Sequence, residues 1–154
     1  MSGTVVRAAG AGDAVWMLGG RYEVKVSSAE TDGAMTIMEL WMPAGAGPPP
    51  HTHPGSETVY VVSGKLRYHI AGEVFDGAPG SIFYIPAGVL ENFEPVEESR
   101  ILVTYASGGI EQFFTEAGEP AGSNQLPPPM LQAPDLEAIA SIAARYGMDI
   151  QLPA

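Results

Sequence analysis

No cysteine occurs anywhere in the 154 residues, which excludes a disulfide framework, a thiolate metal site and a cysteine nucleophile together. Histidine is nearly as scarce, with three copies, and Lys and Arg number 7 against 18 Asp and Glu. The formal net charge of −11 repels phosphate backbones, whose binding rests on neutralisation by Lys and Arg. It disfavours anionic membrane surfaces for the same reason. Neither nucleic acid nor a membrane is therefore expected as a partner. Apolar runs stop at about five residues, against the roughly 20 that a membrane-spanning helix needs. Residues 1–20 also lack the basic start and apolar run of a secretory signal, so a cytoplasmic protein is the expectation.

What is abundant is glycine and proline, 19 and 14 copies, in a chain that is 45% hydrophobic. That mixture suits many short strands joined by tight turns. From Tyr22 the chain alternates: "YEVKVSS" places Tyr22, Val24 and Val26 on one face and Glu23 and Lys25 on the other. "MTIMELWMP", "ETVYVVSG", "KLRYHIAG", "EVFDGAPG", "SIFYIPAG", "ENFEPV" and "SRILVTYASGG" follow. Gly or Pro punctuates them at intervals of roughly eight to twelve residues, the spacing of a sandwich or barrel. The N-terminal 20 residues show little pattern, with Gly10, Gly12, Gly19 and Gly20 breaking any helix.

After residue 107 the chain changes character. "IEQFFTEAG" reads as a short helix closed by Gly118, and "NQLPPPMLQAP" as an extended proline-rich connector. "DLEAIASIAARYG" follows helix rules, with Asp135 as N-cap, Leu136, Ile139, Ala140 and Ala143 on one face, Arg145 in the last turn and Gly147 at the end. Phe113 and Phe114 are read as anchors of the tail helix. One domain is expected over residues 1–154, with a barrel core at about 22–107 and a helical tail at 108–154.

Two of the three histidines, His51 and His53, stand one residue apart in "GPPPHTHPGSETVYVVSG". In an extended segment they project to the same side, and Glu57 can rejoin them after the Pro54–Gly55 turn. Two imidazoles and one carboxylate make a facial set that leaves positions open on a divalent ion such as Fe, Mn, Ni or Co. A solvent-facing pair on a proline-flanked loop is the plainer alternative.

The spacing His51–x–His53–x3–Glu57–x6–Gly64 resembles the first cupin motif, and Gly80–x5–Pro86–x–Gly88 resembles the start of the second. The resemblance covers roughly residues 34–107 and implies an all-β cupin barrel or jelly roll with short C-terminal helices packed outside. The tail, "GGIEQFFTEAGEP" with "LEAIASIAARYGMDI" beyond the prolines, resembles the single-domain quercetinase-like cupins. These are similar to quercetin 2,3-dioxygenases, metal enzymes that open the central ring of a flavonol with O2. The resemblance implies one divalent metal ion (Fe, Ni, Co, Mn or Zn) on His51, His53 and Glu57, with Glu57 taking a proton from the substrate hydroxyl. It also implies a small-molecule substrate and a homodimer.

One position departs from the pattern. Where the second motif normally carries a histidine ligand, "PAGVLENF" has Glu91. His69 alternates with Lys65 and Arg67 on a polar face and does not replace it. Glu91 leaves three readings open: a fourth metal ligand, an unligated general base, or the mark of a lost site. Phe93 shares the inward face of Glu91 by alternation and is expected to line a substrate pocket. Beside dioxygenation stand two alternatives. One is non-redox metal chemistry, a cyclase, isomerase or lyase, favoured if the metal is zinc. The other is a metal-free cupin that binds a small molecule.

Overall fold

Alternating apolar and polar residues pleat the chain into strands whose inner faces meet. The structure, a computed structural model, describes residues 3–154. Its strands are β1 (Ala14–Met17), β2 (Gly20–Val26), β3 (Met35–Met42), β4 (His51–Thr52), β5 (Glu57–Ser63), β6 (Leu66–Ile70), β7 (Glu73–Gly77), β8 (Ile82–Ile85), β9 (Glu91–Pro95), β10 (Ser99–Ala106), β11 (Glu119–Pro120) and β12 (Asp149–Ile150). Two helices complete the fold, α1 (Ile110–Ala117) and α2 (Leu136–Arg145). The strands form two antiparallel sheets, seven in the order β11-β1-β2-β3-β10-β5-β8 and five in the order β12-β4-β9-β6-β7. This is the expected all-β jelly roll with two short helices.

Register explains the core. Met38 of β3 lies opposite Val103 of β10, which lies opposite Val59 of β5, and Leu40, Ile101 and Val61 form the next row. All six are buried, so each row presents branched or flexible apolar side chains to the facing sheet. Burial alternates along β3 and β10 with the two-residue period of the sequence. Gly64 closes the turn between β5 and β6 at φ 84, where a Cβ would sit 2.1 Å from the Ser99 hydroxyl. That hydroxyl accepts from the Lys65 backbone N–H, so the charged tip at residues 96–99 is tied into the barrel by its buried last residue.

Three features differ from the sequence reading. The larger sheet begins at Ala14 rather than Tyr22, because Leu18 and Gly19, at φ 50 and 81, turn β1 back onto β2. The outer face of β2 is also covered: Glu23 is buried, where Arg21 and Lys25 reach it at 2.8 and 2.5 Å. Finally, the tail is not helical alone. Glu119 and Pro120 pair with β1, and Asp149 and Ile150 pair with β4.

The helices form where capping and amphipathicity expect them. Asp135 accepts from the Ala138 N–H at 3.0 Å, and Gly147 past the end of α2 has φ 79. Glu111 in the first turn of α1 accepts from the Ser28 N–H and the Thr36 hydroxyl, each at 2.6 Å. This pins α1 to the barrel and turns Phe113 and Phe114 inward, where both are buried. No helix is long and apolar enough to cross a membrane among the described residues.

Candidate metal centre

β4 is two residues long, yet it has neighbours on both sides. His51 lies opposite Glu91 of β9 on one edge and opposite Ile150 of β12 on the other. The Gln151 N–H donates to Pro50 O at 2.8 Å, and the Gly88 N–H to His53 O at 2.9 Å. Gly88 holds a φ of 76 there, a conformation that favours glycine. The histidine-bearing segment is therefore held by backbone bonds although prolines flank it.

These constraints bring His51, His53, Glu57 and Glu91 together. One potential ligand atom from each lies within 4.8 Å of the others, and all four residues are buried, with 2 to 9% of their surface exposed. The solvent-facing alternative for the histidine pair is thus not what the fold adopts. The two Nε2 atoms are 2.9 Å apart, His53 Nε2 is 3.7 Å from Glu57 Oε1 and His51 Nε2 is 3.8 Å from Glu91 Oε1. His51 Nδ1 lies 2.8 Å from Pro49 O. A carbonyl can only accept, so the Nδ1–H donates and Nε2 is the atom turned to the cluster.

The donor set fits a divalent cation, on three counts. Burial, with the neighbouring His51, pushes His53 down to about 3, so its imidazole is neutral at pH 7 and offers a lone pair. Burial, followed by the adjoining Glu91, pushes Glu57 well above the usual carboxylate range, so the two acids lie close enough to share one positive partner. Among the described residues, Glu57 Oε1 and Glu91 Oε2 are buried without a hydrogen-bond partner. Buried unpaired carboxylate oxygens are costly, and a dication satisfies both at once.

The cluster faces a narrow apolar cavity of about 50 Å³. Phe93 lines it, as do Val59, Val103 and Tyr105 from the barrel. The tail supplies a further wall through Phe113, Phe114, Ile139, Met148 and Ile150. Phe113 and Phe114, read from sequence only as anchors, therefore do both jobs; Phe114 stacks on Tyr22 with ring centroids 5.0 Å apart. No Lys or Arg lines the cavity among the described residues. His69 stays outside the cluster, paired across the sheet with Val74 and Asn92.

Sequence reasoning missed Tyr68, whose hydroxyl donates to Glu91 Oε1 at 2.8 Å. Its alternation with His69 signalled an inward side chain but not its partner. The tail residues gave no signal, because nothing local to them says which part of the barrel they cover.

Comparison with known proteins agrees with this architecture. Residues 38–105 match the family described as the cupin domain. An uncharacterised protein of Streptomyces coelicolor is 30% identical over 94 residues, covering 54% of this chain and 90% of that protein. KdgF from a Halomonas species superposes with a TM-score of 0.63 at 17% identity, over 72% of this chain and 99% of that one. The polyketide cyclase RemF from Streptomyces resistomycificus gives 0.58 at 20% identity, over 70% and 80% of the two chains. The chain belongs to the cupin superfamily.

Proposed function

We propose that this cupin is a metal-dependent enzyme acting on a small, uncharged cyclic or aromatic molecule, with quercetinase-like dioxygenation as its reaction. The observation that carries the reading is the convergence of two imidazoles and two carboxylates, all buried, at one side of an apolar cavity. His51, His53, Glu57 and Glu91 would hold the ion. When bound, a divalent ion supplies Lewis acidity to a substrate enol oxygen and, if it is iron, nickel, cobalt or manganese, access to O2 chemistry. The chain supplies the rest. Glu57, buried and with an unpartnered Oε1, takes the proton from the substrate hydroxyl. Phe93, Val59 and Val103 pack the substrate's apolar body, and the tail wall excludes water. With no Lys or Arg lining the cavity among the described residues, the ion would be the one counter-charge for the oxygen that loses its proton.

A second reading keeps the metal and drops the redox step. It is favoured by Glu91, since a second carboxylate offsets the charge of a 2+ ion and suits a redox-quiet centre that polarises a carbonyl for cyclisation. The same fold carries a polyketide cyclase, RemF. The reading also includes pairing with a second copy of the chain and a cytoplasmic location. Pairing is supported by the outer face of β5 and β8, where Tyr60, Val62, Ile82 and Tyr84 are exposed and no acid interrupts them despite the net charge of −11.

Elemental analysis of untagged protein, beside His51→Ala and Glu91→Ala, tests the site. The expected result is about one metal per chain in the wild type, lost in both variants. Iron, nickel, cobalt or manganese with O2-dependent loss of quercetin absorbance supports dioxygenation; zinc with no O2 uptake supports the second reading. Metal lost with His51→Ala alone makes Glu91 a base or bystander. No metal even after reconstitution leaves a small-molecule-binding cupin and overturns both enzyme readings.

A further inference from the structure

Glu91 occupies the position at which the second motif normally carries histidine, and it does not stand there alone. Tyr68 of β6 is 0% exposed. It lies opposite Phe93, two residues along β9 from Glu91, while Ile70 lies opposite Glu91 itself. Its ring is held between Phe83 and Phe93 with centroids 4.8 and 5.4 Å away. A phenyl ring would satisfy that packing equally well. The hydroxyl is therefore the informative atom, since burying one without a partner is costly. Its acceptor is Glu91 Oε1 at 2.8 Å, and Glu91 Oε2 is left buried with no hydrogen-bond partner among the described residues.

We infer that Tyr68 is a positioning residue that makes Glu91 behave as a one-atom ligand, the carboxylate counterpart of a missing imidazole. The inference rests on the metal-site reading above. A free carboxylate can turn about its axis and chelate an ion with both oxygens, taking two coordination positions. Tyr68 fixes that rotation by donating to Oε1, which also lies 3.8 Å from His51 Nε2. The bond takes up one of the two lone pairs of Oε1 and withdraws charge from it, so the unpartnered Oε2 is the stronger donor to an ion. One position goes to Glu91, and one more stays open for substrate or O2. The hydroxyl thereby offsets what the exchange of histidine for glutamate would otherwise cost the centre: an added charge and a lost open position. Partners that orient ligands in this way are worth roughly 10–100-fold in metal affinity.

The test is a Co2+ titration of metal-free protein, followed by the visible d–d spectrum and by competition with a chelator. Wild type, Y68F, E91A and the double variant are compared, with metal-free thermal melting as the control for packing. Y68F is expected to weaken Co2+ binding about tenfold and to alter the position or intensity of the d–d band. Adding Y68F to E91A is expected to change neither, because the acceptor is gone. An unaltered band and affinity in Y68F overturn the inference, and so does the same change in the E91A background, which would make Tyr68 a packing residue only. Should E91A retain no Co2+, the Y68F spectrum decides by itself. A wild type that binds no Co2+ overturns the metal reading first and this inference with it, whereas wild-type binding with an indifferent Y68F overturns this inference alone.

Discussion

Glu57 and His53 respond to pH in opposite directions, and the signs are separable. Glu57 has a folded value above its ordinary 4.5, so its favourable contribution to folding is complete below about 4.5 and is lost as pH rises through the folded value. His53 has a folded value of about 3 against an ordinary 6.5, so its contribution is complete above 6.5 and is lost as pH falls toward 3. Between these values the two oppose each other, and above 6.5 only the Glu57 slope remains. Metal-free protein is therefore expected to melt at progressively lower temperature as pH rises above 6.5. Zinc-loaded protein is expected to lose this slope, because the ion displaces the proton that Glu57 otherwise holds. Parallel slopes with and without zinc would show that Glu57 does not face the ion. At this scale the sequence was legible for which side chains converge. His51, His53 and Glu57, read from alternation, and Glu91, read from its place in the second motif, converge in the fold, and Phe93 lines the cavity beside them. The Tyr68 bond was not legible, because the partner of an inward hydroxyl depends on which strand becomes its neighbour.

At the scale of elements, short segments carry the geometry and long ones carry the stability. β4 has two residues and little propensity of its own, so its direction comes from β9 and β12. α1 is held by Glu111 and contributes the Phe114 ring stacked on Tyr22. Phe114 is 7% exposed and lines the cavity. Phe114→Ala is expected to cost about 3–5 kcal/mol in urea denaturation and to enlarge the cavity, while leaving the four ligands and the Co2+ spectrum in place. A spectrum lost together with stability would mean that the tail helix also holds the centre. The long strands β3, β5 and β10 were legible because a two-residue period survives over seven or eight residues. β1, β11 and β12, with two to four residues each, are too short to show a period. Gly19, read as a helix breaker, is half of the hairpin turn between β1 and β2.

For the whole molecule, the net charge of −11 opposes the approach of anions, and the proposed pairing puts its contact on the uncharged outer face of β5 and β8. Sedimentation is expected to show a dimer, and Tyr84→Glu to return it to monomer with the Co2+ spectrum unaltered, since Tyr84 is exposed and outside the cavity. A wild-type monomer would remove the pairing proposal without touching the metal site. The same scale governs the tail. It extends both sheets and closes one side of the cavity, so the volume open to a substrate depends on residues some fifty to a hundred positions from the histidines.

The sequence by itself determined the class of fold and the grouping of His51, His53 and Glu57. Periodicity, turn glycines and the spacing of His51, His53 and Glu57 are local, and local patterns are written along the chain. Tertiary structure alone decided that Glu91 meets the histidines across β4 and β9, that Tyr68 donates to it, and that Ile139, Met148 and Ile150 wall the cavity. Those relations join residues far apart in the chain. Strand register and the docking of the tail set them, and both are settled by the packing of the whole core rather than by any neighbouring residue.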